Sequence, residues 1–92
     1  MENQDGWLLF IKLCQQAVKK NKLLELYQFI FTQEEREKLE LRTLLTKALL
    51  EEKMAQREIS SHLKVSISKI TRGSNALKVI DSKLKKFLTE SL

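Results

Sequence analysis

Residues 56–72, QREISSHLKVSISKITR, contain the pattern that decides the fold. Ile59 and Leu63 are spaced one helical turn apart, and Val65 and Ile70 follow at positions suited to a turn and a second helix. These four apolar side chains can form a small core that fixes the angle between two short helices. The stretch therefore predicts a helix–turn–helix unit.

Residues at the ends of the two predicted helices partly favour and partly disfavour a helix–turn–helix. Met54 and Ile59 are spaced as a hydrophobic staple around the start of the first helix, and Ser66 is a good N-cap for the second. However, Lys64 occupies the turn position that glycine most often fills, and Ala55 is a poor N-cap. An ordinary helical hairpin therefore remains the alternative interpretation of these residues.

The rest of the chain also reads as helical. A helix from residue 7 is apolar on nearly all sides, so we expect it to be buried on several sides, most simply by a second copy of the chain. A short and very apolar helix follows over 23–31. Thr32 and Glu35 form a capping box for a long helix that ends near Glu52, and Asp81 is a candidate cap for the last helix. We expect an all-α single domain over residues 1–92, divided into a polar tail over 1–6, core helices over 7–52, the helix–turn–helix over 56–79 and a C-terminal helix over 82–91.

Composition excludes several classes of protein. The 92 residues include no proline, two glycines and one cysteine, and 32% of them are charged, which disfavours β-rich, collagen-like and disulfide-stapled folds. The longest apolar run, residues 7–11, is too short to span a membrane, and the N-terminus lacks the basic region of a secretory signal. We therefore expect a cytoplasmic location without a membrane partner, with Cys14 as a free buried thiol. The single histidine, His62, has no nucleophile or metal-ligand set nearby in sequence, so we expect no enzyme, no catalytic residue and no metal.

Positive charge is concentrated in the second half of the chain. Residues 1–40 carry a net charge of −1, whereas residues 41–92 carry +6. A basic half of this kind is typical of a nucleic-acid-binding protein, although a soluble helical protein with a lysine-rich face has the same composition. The N-terminal end of the second motif helix, which enters the major groove in helix–turn–helix proteins, carries small, hydroxylated and cationic side chains. The candidate DNA-binding residues are Gln56, Arg57, Ser66, Ile67, Ser68, Lys69, Thr71, Arg72 and Lys78.

A resemblance to a known family covers nearly the whole chain. Residues 70–78, ITRGSNALK, resemble the signature segment of the bacterial tryptophan (trp operon) repressors. Residues 56–58 are similar to the start of that family's first DNA-binding helix, residues 7–10 to the start of its first helix, and Thr32 with residues 34–37 to the entry of its third helix. The similarity runs without gaps from Trp7 to Leu92.

The resemblance implies a subunit of six helices in an intertwined homodimer that binds operator DNA when L-tryptophan, the corepressor, occupies a site between a dimer core and a DNA-reading head. By the same resemblance, Arg42 and Arg72 sandwich the indole, and planar guanidinium groups suit that role. Arg72 and the Thr32 hydroxyl contact the ligand carboxylate. The carbonyls of Phe29 and Phe31 from the other subunit receive the ligand ammonium.

The sequence departs from the family at several positions. Ala76 stands where better-studied members have a serine that contacts the ligand ammonium, so we expect weaker tryptophan binding or a water molecule in its place. Lys69 replaces a smaller residue, and Lys64 and Ser66 replace turn glycines. Operator preference and flexibility of the reading head therefore do not transfer from the family.

Two alternatives remain at this stage. One is a helix–turn–helix regulator that ignores tryptophan or senses a different indole compound. The other is an all-helical dimeric interaction module whose basic face contacts an acidic partner. The first predicts DNA binding that tryptophan does not change, and the second predicts that charge reversal at Lys69 leaves DNA binding unchanged.

Overall fold

The computed structural model describes residues 5–92, which form six α-helices and no strand. The prediction of an all-α chain is confirmed. Residues 1–4 of the predicted tail lie outside the described residues. Within the described range, no helix is both long and apolar enough to cross a membrane. The helices are α1 Gly6–Lys19, α2 Leu23–Ile30, α3 Gln33–Glu51, α4 Gln56–Leu63, α5 Ile67–Val79 and α6 Ser82–Ser91.

Side-chain caps determine where several helices begin. Asp5 accepts hydrogen bonds from the amides of Trp7 and Leu8, so α1 starts at Gly6, one residue before the predicted limit. The predicted capping box at α3 is confirmed, because the Thr32 hydroxyl accepts from the Glu35 amide at 3.1 Å and the Glu35 carboxylate accepts from the Thr32 amide at 2.9 Å. The predicted N-caps at Ser66 and Asp81 are present as well.

The chain divides into two compact units, with the boundary between Glu37 and Lys38. In the first unit, α1 and α2 pack through an aromatic chain, in which ring centroids are 6.2 Å apart for Trp7 and Phe10, 5.9 Å for Phe10 and Phe31, and 5.7 Å for Tyr27 and Phe31. The Arg36 guanidinium donates to the Phe31 carbonyl at 3.0 Å. These contacts fix the end of α2 against the start of α3.

In the second unit the core forms around α4 and α5. Ile59 and Ile70 are 1% and 0% exposed, and Val65 is also buried, while Leu63 packs against them. The small core predicted from the spacing of these four residues is therefore present. Met54 packs on the same cluster, as a hydrophobic staple requires. Two residues of α3, Leu45 and Ala48, complete the cluster.

The first unit leaves much of its apolar surface exposed. Trp7 and Leu8 of α1 are 67% and 63% exposed, and Leu24 and Phe29 of α2 are 63% and 84% exposed. Cys14, expected to be buried, is a free and only half-buried thiol in the single chain. Large apolar side chains exposed side by side indicate a surface that another molecule covers.

Candidate ligand groove and nucleic-acid interface

A groove of about 620 Å³ lies within the second unit, lined by residues of α3, α5 and α6. This volume is within the range of about 300–1,000 Å³ that small-molecule sites occupy. Its walls are mainly apolar, with cationic side chains among them. The lining residues include Leu41, Arg42, Leu45 and Thr46 of α3, Lys69, Arg72, Gly73, Ala76 and Leu77 of α5, and Leu84 and Leu88 of α6.

Helix periodicity places the α5 residues on one side of the groove. Lys69, Arg72, Gly73 and Ala76 are spaced at i, i+3, i+4 and i+7, which aligns them on a single helix face. Gly73 packs α5 closely on α3, because a Cβ atom there would lie 3.3 Å from the Cδ1 atom of Leu49. The glycine therefore brings the cationic residues of α5 near those of α3.

Arg42 and Arg72 line the same groove from different helices. Both side chains are exposed, and neither makes a hydrogen bond or an ion pair to any residue in the range 5–92. Guanidinium groups without partners are available to stack on an aromatic ring or to bind a carboxylate. The groove thus combines an apolar lining with unpaired planar cations.

The turn between α4 and α5 is held by Ser60. The Ser60 hydroxyl donates to the Val65 carbonyl at 2.6 Å, and the Ser60 carbonyl accepts from the amides of Lys64 and Val65. These bonds hold Lys64 in the left-handed region, with φ at 56°, at the turn position that glycine most often fills. At α4, alanine has no side-chain acceptor, and only the Glu58 carboxylate bonds the Ala55 amide, at 3.0 Å.

The N-terminal end of α5 is exposed. Ser66 accepts from the Lys69 amide at 3.2 Å, and Ile67, although apolar, is 48% exposed. About half of this apolar side chain is therefore open to solvent, whereas Ile70 of the same helix is fully buried. The other candidate DNA-binding side chains are exposed as well: Gln56, Arg57, Ser66, Ser68, Lys69, Thr71, Arg72 and Lys78.

Known proteins match the chain along its whole length. The family model described as Trp repressor protein matches residues 5–92. A Trp operon repressor homolog of Chlamydia caviae is 44% identical over 86 residues, which cover 94% of this chain and 85% of that protein. This chain belongs to the Trp repressor family. A homolog of the same name from Chlamydia trachomatis serovar D is 40% identical with both chains fully covered, and one from Actinobacillus succinogenes is 39% identical over 86% of this chain and 78% of its own.

The Trp repressor family consists of DNA-binding regulators of transcription and not of enzymes. The expectation that this chain is no enzyme is confirmed by that membership. Within residues 5–92, no group of three or more His, Cys, Asp or Glu side chains is arranged to hold a metal ion.

The ligand residues that the family resemblance implies are divided between the two units. Arg42, Arg72 and Ala76 line the groove of the second unit, whereas Phe29, Phe31 and Thr32 belong to the first. The Thr32 oxygen accepts the Glu35 amide, which leaves its hydroxyl hydrogen available for a ligand carboxylate.

Sequence patterns gave no signal for two groove features and one contact of the first unit. Lys69, predicted only as a DNA contact, also lines the groove. The Thr46 hydroxyl is in the lining too and donates to the Arg42 carbonyl at 2.8 Å. Arg36 bonds the Phe31 carbonyl, one of the two acceptors expected to receive the ligand ammonium. A hydrophobic pattern carries no signal for polar residues of this kind, because their roles depend on contacts between helices.

Proposed function

We propose that this chain is a tryptophan-dependent transcriptional repressor, in which a homodimer binds operator DNA when L-tryptophan occupies the groove. The observation that carries the proposal is the presence of Arg42 of α3 and Arg72 of α5, both unpaired, in one groove of suitable size. Two planar cations from different helices can enclose an indole ring, and exclusion of water strengthens that attraction. Membership of the Trp repressor family supports tryptophan as the corepressor.

The remaining ligand contacts follow from the family pattern, in which the Thr32 hydroxyl donates to the ligand carboxylate. The carbonyls of Phe29 and Phe31 of the partner subunit accept from the ammonium, because carbonyls at the end of α2 lack helical partners. Since the Phe31 oxygen already accepts from Arg36, it offers the ligand a second lone pair rather than an unused acceptor.

The exposed apolar face of α1 and α2 supports a homodimer. Trp7, Leu24 and Phe29 are each more than 60% exposed in the single chain. A chain of 92 residues buries a limited fraction of its surface alone, so a second copy supplies the missing core. The dimer explains why α1 is apolar nearly all round.

The α4–α5 pair is proposed as the DNA-reading head. Arg57, Ile67, Ser68 and Thr71 face the bases, whereas Lys69, Lys78 and the amides at the start of α5 bind phosphates. In helix–turn–helix dimers, a class that includes the Trp repressors, the two heads meet major grooves about 34 Å apart. The operator lies on bacterial DNA, so the protein is proposed to act in the cytoplasm.

Tryptophan acts by favouring the DNA-competent arrangement. A ligand shifts a conformational equilibrium only if it binds one state more tightly than the other. By joining Arg42 on the long helix α3 to Arg72 on the reading helix α5, tryptophan stabilises one orientation of α5 at the expense of others.

The test is DNA binding measured across a tryptophan titration. The purified protein would select duplexes from a random pool in saturating tryptophan, and fluorescence anisotropy would then follow binding of the selected duplex. We expect affinity to rise at least tenfold with tryptophan. Binding that tryptophan leaves unchanged would identify a regulator of another kind, and a failure to select any duplex, or unchanged binding by Lys69→Glu, would favour a protein-interaction module.

A further inference from the structure

Arg36 joins the end of α2 to the start of α3, at a corner of the chain formed by residues 28–36. One guanidinium nitrogen, Nη1, donates to the Gln28 carbonyl at 2.9 Å and to the Phe31 carbonyl at 3.0 Å. The Arg36 amide donates to the Thr32 carbonyl at 2.9 Å, and the Arg36 carbonyl accepts from the Tyr27 hydroxyl at 3.3 Å. One half-buried residue therefore binds this corner through both its side chain and its backbone.

The α2–α3 corner carries the groups proposed above to hold the amino and carboxyl groups of the ligand. The carbonyls of Phe29 and Phe31 are the proposed acceptors for the ammonium, and the Thr32 hydroxyl is the proposed donor to the carboxylate. Arg36 bonds the Phe31 carbonyl directly, and it also bonds the Gln28 carbonyl, which immediately precedes that of Phe29. Because peptide groups are planar, bonds on both sides of Phe29 restrict the direction of its carbonyl as well.

The Phe31 carbonyl needs a restraint from outside α2. Phe31 has left the helical conformation, with φ at −101° and ψ at 141°, so no bond of the helix fixes the direction of its carbonyl. The edge-on contact with the Phe10 ring, at 5.9 Å, holds the Phe31 side chain and not its carbonyl. The bond from Arg36 supplies that restraint.

A guanidinium beside an ammonium acceptor has two opposite effects on the ligand. It repels a second cation and uses one lone pair of the Phe31 oxygen, but it also orders the carbonyl before the ligand arrives, which lowers the entropy cost of binding. Arg36 is only half-buried, so solvent screens the repulsion. The ordering acts through two direct hydrogen bonds, so it outweighs the repulsion.

We propose that Arg36 is a positioning residue for the ligand. It acts through the carbonyls at the end of α2, which it holds in the orientation that receives the α-amino group, and it does not itself touch the ligand. The inference rests on the proposed function, because it concerns the ammonium acceptors of the same ligand.

Calorimetric titration of Arg36→Met with two ligands tests this role. Methionine keeps an unbranched apolar side chain but removes the hydrogen-bond donors and the charge. L-Tryptophan should bind about fivefold to tenfold more weakly than to the unchanged protein, because its ammonium meets carbonyls that are no longer ordered. Indole-3-propionate, which has the carboxylate but no amine, should weaken by less than about twofold. The ratio of the two Kd values therefore reports the ammonium acceptors, and a general loss of stability does not change it.

The conservative variant Arg36→Lys tests whether the two side-chain bonds carry the effect. Both carbonyls are bonded by the single atom Nη1, so a lysine ammonium, with three donors on one nitrogen, can replace it. We expect the tryptophan Kd of R36K to lie within about threefold of that of the unchanged protein. A loss as large as in R36M would show that these bonds are not the cause and would overturn the inference.

Lys47→Met is the matched control, because it removes an exposed cation of α3 that is not among the described residues lining the groove. It should leave the ratio of the two Kd values unchanged. An unchanged ratio in R36M, or tighter tryptophan binding, would overturn the inference and leave the proposed function intact. If R36M does not fold, Arg36→Gln, which is shorter and neutral, is judged by the same ratio. If the unchanged protein does not bind tryptophan, the proposed function and this inference are both wrong.

Discussion

The substitution Ala76→Ser tests the ligand site at one atom. Ala76 is exposed, lies within α5 and lines the groove, so a serine oxygen would be added without displacing a core side chain. Serine has a lower helix propensity than alanine, which reduces the stability of the fold by about 0.5 kcal/mol, an amount that a folded domain tolerates. The variant is therefore expected to fold, and any change in ligand binding reports the added hydroxyl.

The geometry of hydroxyl groups on these helices determines what that oxygen can do. Thr43, Thr46 and Thr89 each donate to the carbonyl four residues earlier, at 2.8–2.9 Å. A serine at position 76 that bonds the Arg72 carbonyl in the same way leaves its lone pairs available to the ligand ammonium. A hydrogen bond to a charged group contributes about 1.5–3 kcal/mol, and the surrounding cations favour the lower end of that range. The expected gain in tryptophan affinity is about tenfold.

Calorimetry with two ligands decides the prediction. Tryptophan affinity should rise about tenfold in Ala76→Ser, whereas indole-3-propionate, which has no ammonium, should bind as it does to the unchanged protein. Asn75→Ser introduces the same residue at an exposed position of α5 outside the groove and serves as the control. Equal tryptophan affinity in the two variants would show that position 76 does not face the ligand amine.

Four further predictions concern assembly, stability and DNA binding. Leu24→Glu should convert the dimer into monomers in sedimentation experiments, because it places an unpaired charge in the apolar face that the second copy covers. The control Lys20→Glu should remain a dimer. A dimeric L24E would show that the interface lies elsewhere. Lys64→Gly should raise the free energy of unfolding by about 0.5–1 kcal/mol in urea titrations, because relief of the left-handed strain at residue 64 outweighs the greater entropy that glycine gives the unfolded chain. A lower free energy of unfolding would contradict the positive φ of Lys64. Gly73→Val should lower the free energy of unfolding by about 2 kcal/mol, because the new methyl groups collide with Leu49. Unchanged stability would show that α5 does not pack closely on α3 at this position. DNA affinity should fall about a thousandfold between about 50 and 200 mM salt if six phosphates are contacted, and a flat salt dependence would exclude phosphate binding.

Local chemistry explains why the helices could be predicted closely. Asp81 and the Thr32–Glu35 capping box bond backbone amides no more than three residues away, so their capping roles can be predicted from the local sequence. The start of α1 was predicted one residue late, because the capping role of Asp5 was not recognised. The packing of Ile59 on Ile70 also followed from short-range spacing.

The groove depended on contacts that spacing does not encode. Arg42 and Arg72 are 30 positions apart, and without the family resemblance each would be interpreted as an ordinary surface charge. Lys69 was assigned to DNA alone, because a helix face reveals its neighbours only when another helix packs beside it. In the first unit, the Arg36 bond to the Phe31 carbonyl was not anticipated either, because residue spacing does not show which carbonyl a long side chain reaches.

The amino-acid sequence by itself determined the helices, most of the predicted caps, the basic second half and the family. Each of these depends on neighbouring residues or on similarity along the chain, so no tertiary information is needed. Tertiary structure alone decided that cations of α3 and α5 line one apolar groove without a carboxylate among them. That arrangement arises because Gly73 lets α3 and α5 approach each other. The electrostatic potential in the groove therefore comes from the charges of both helices together.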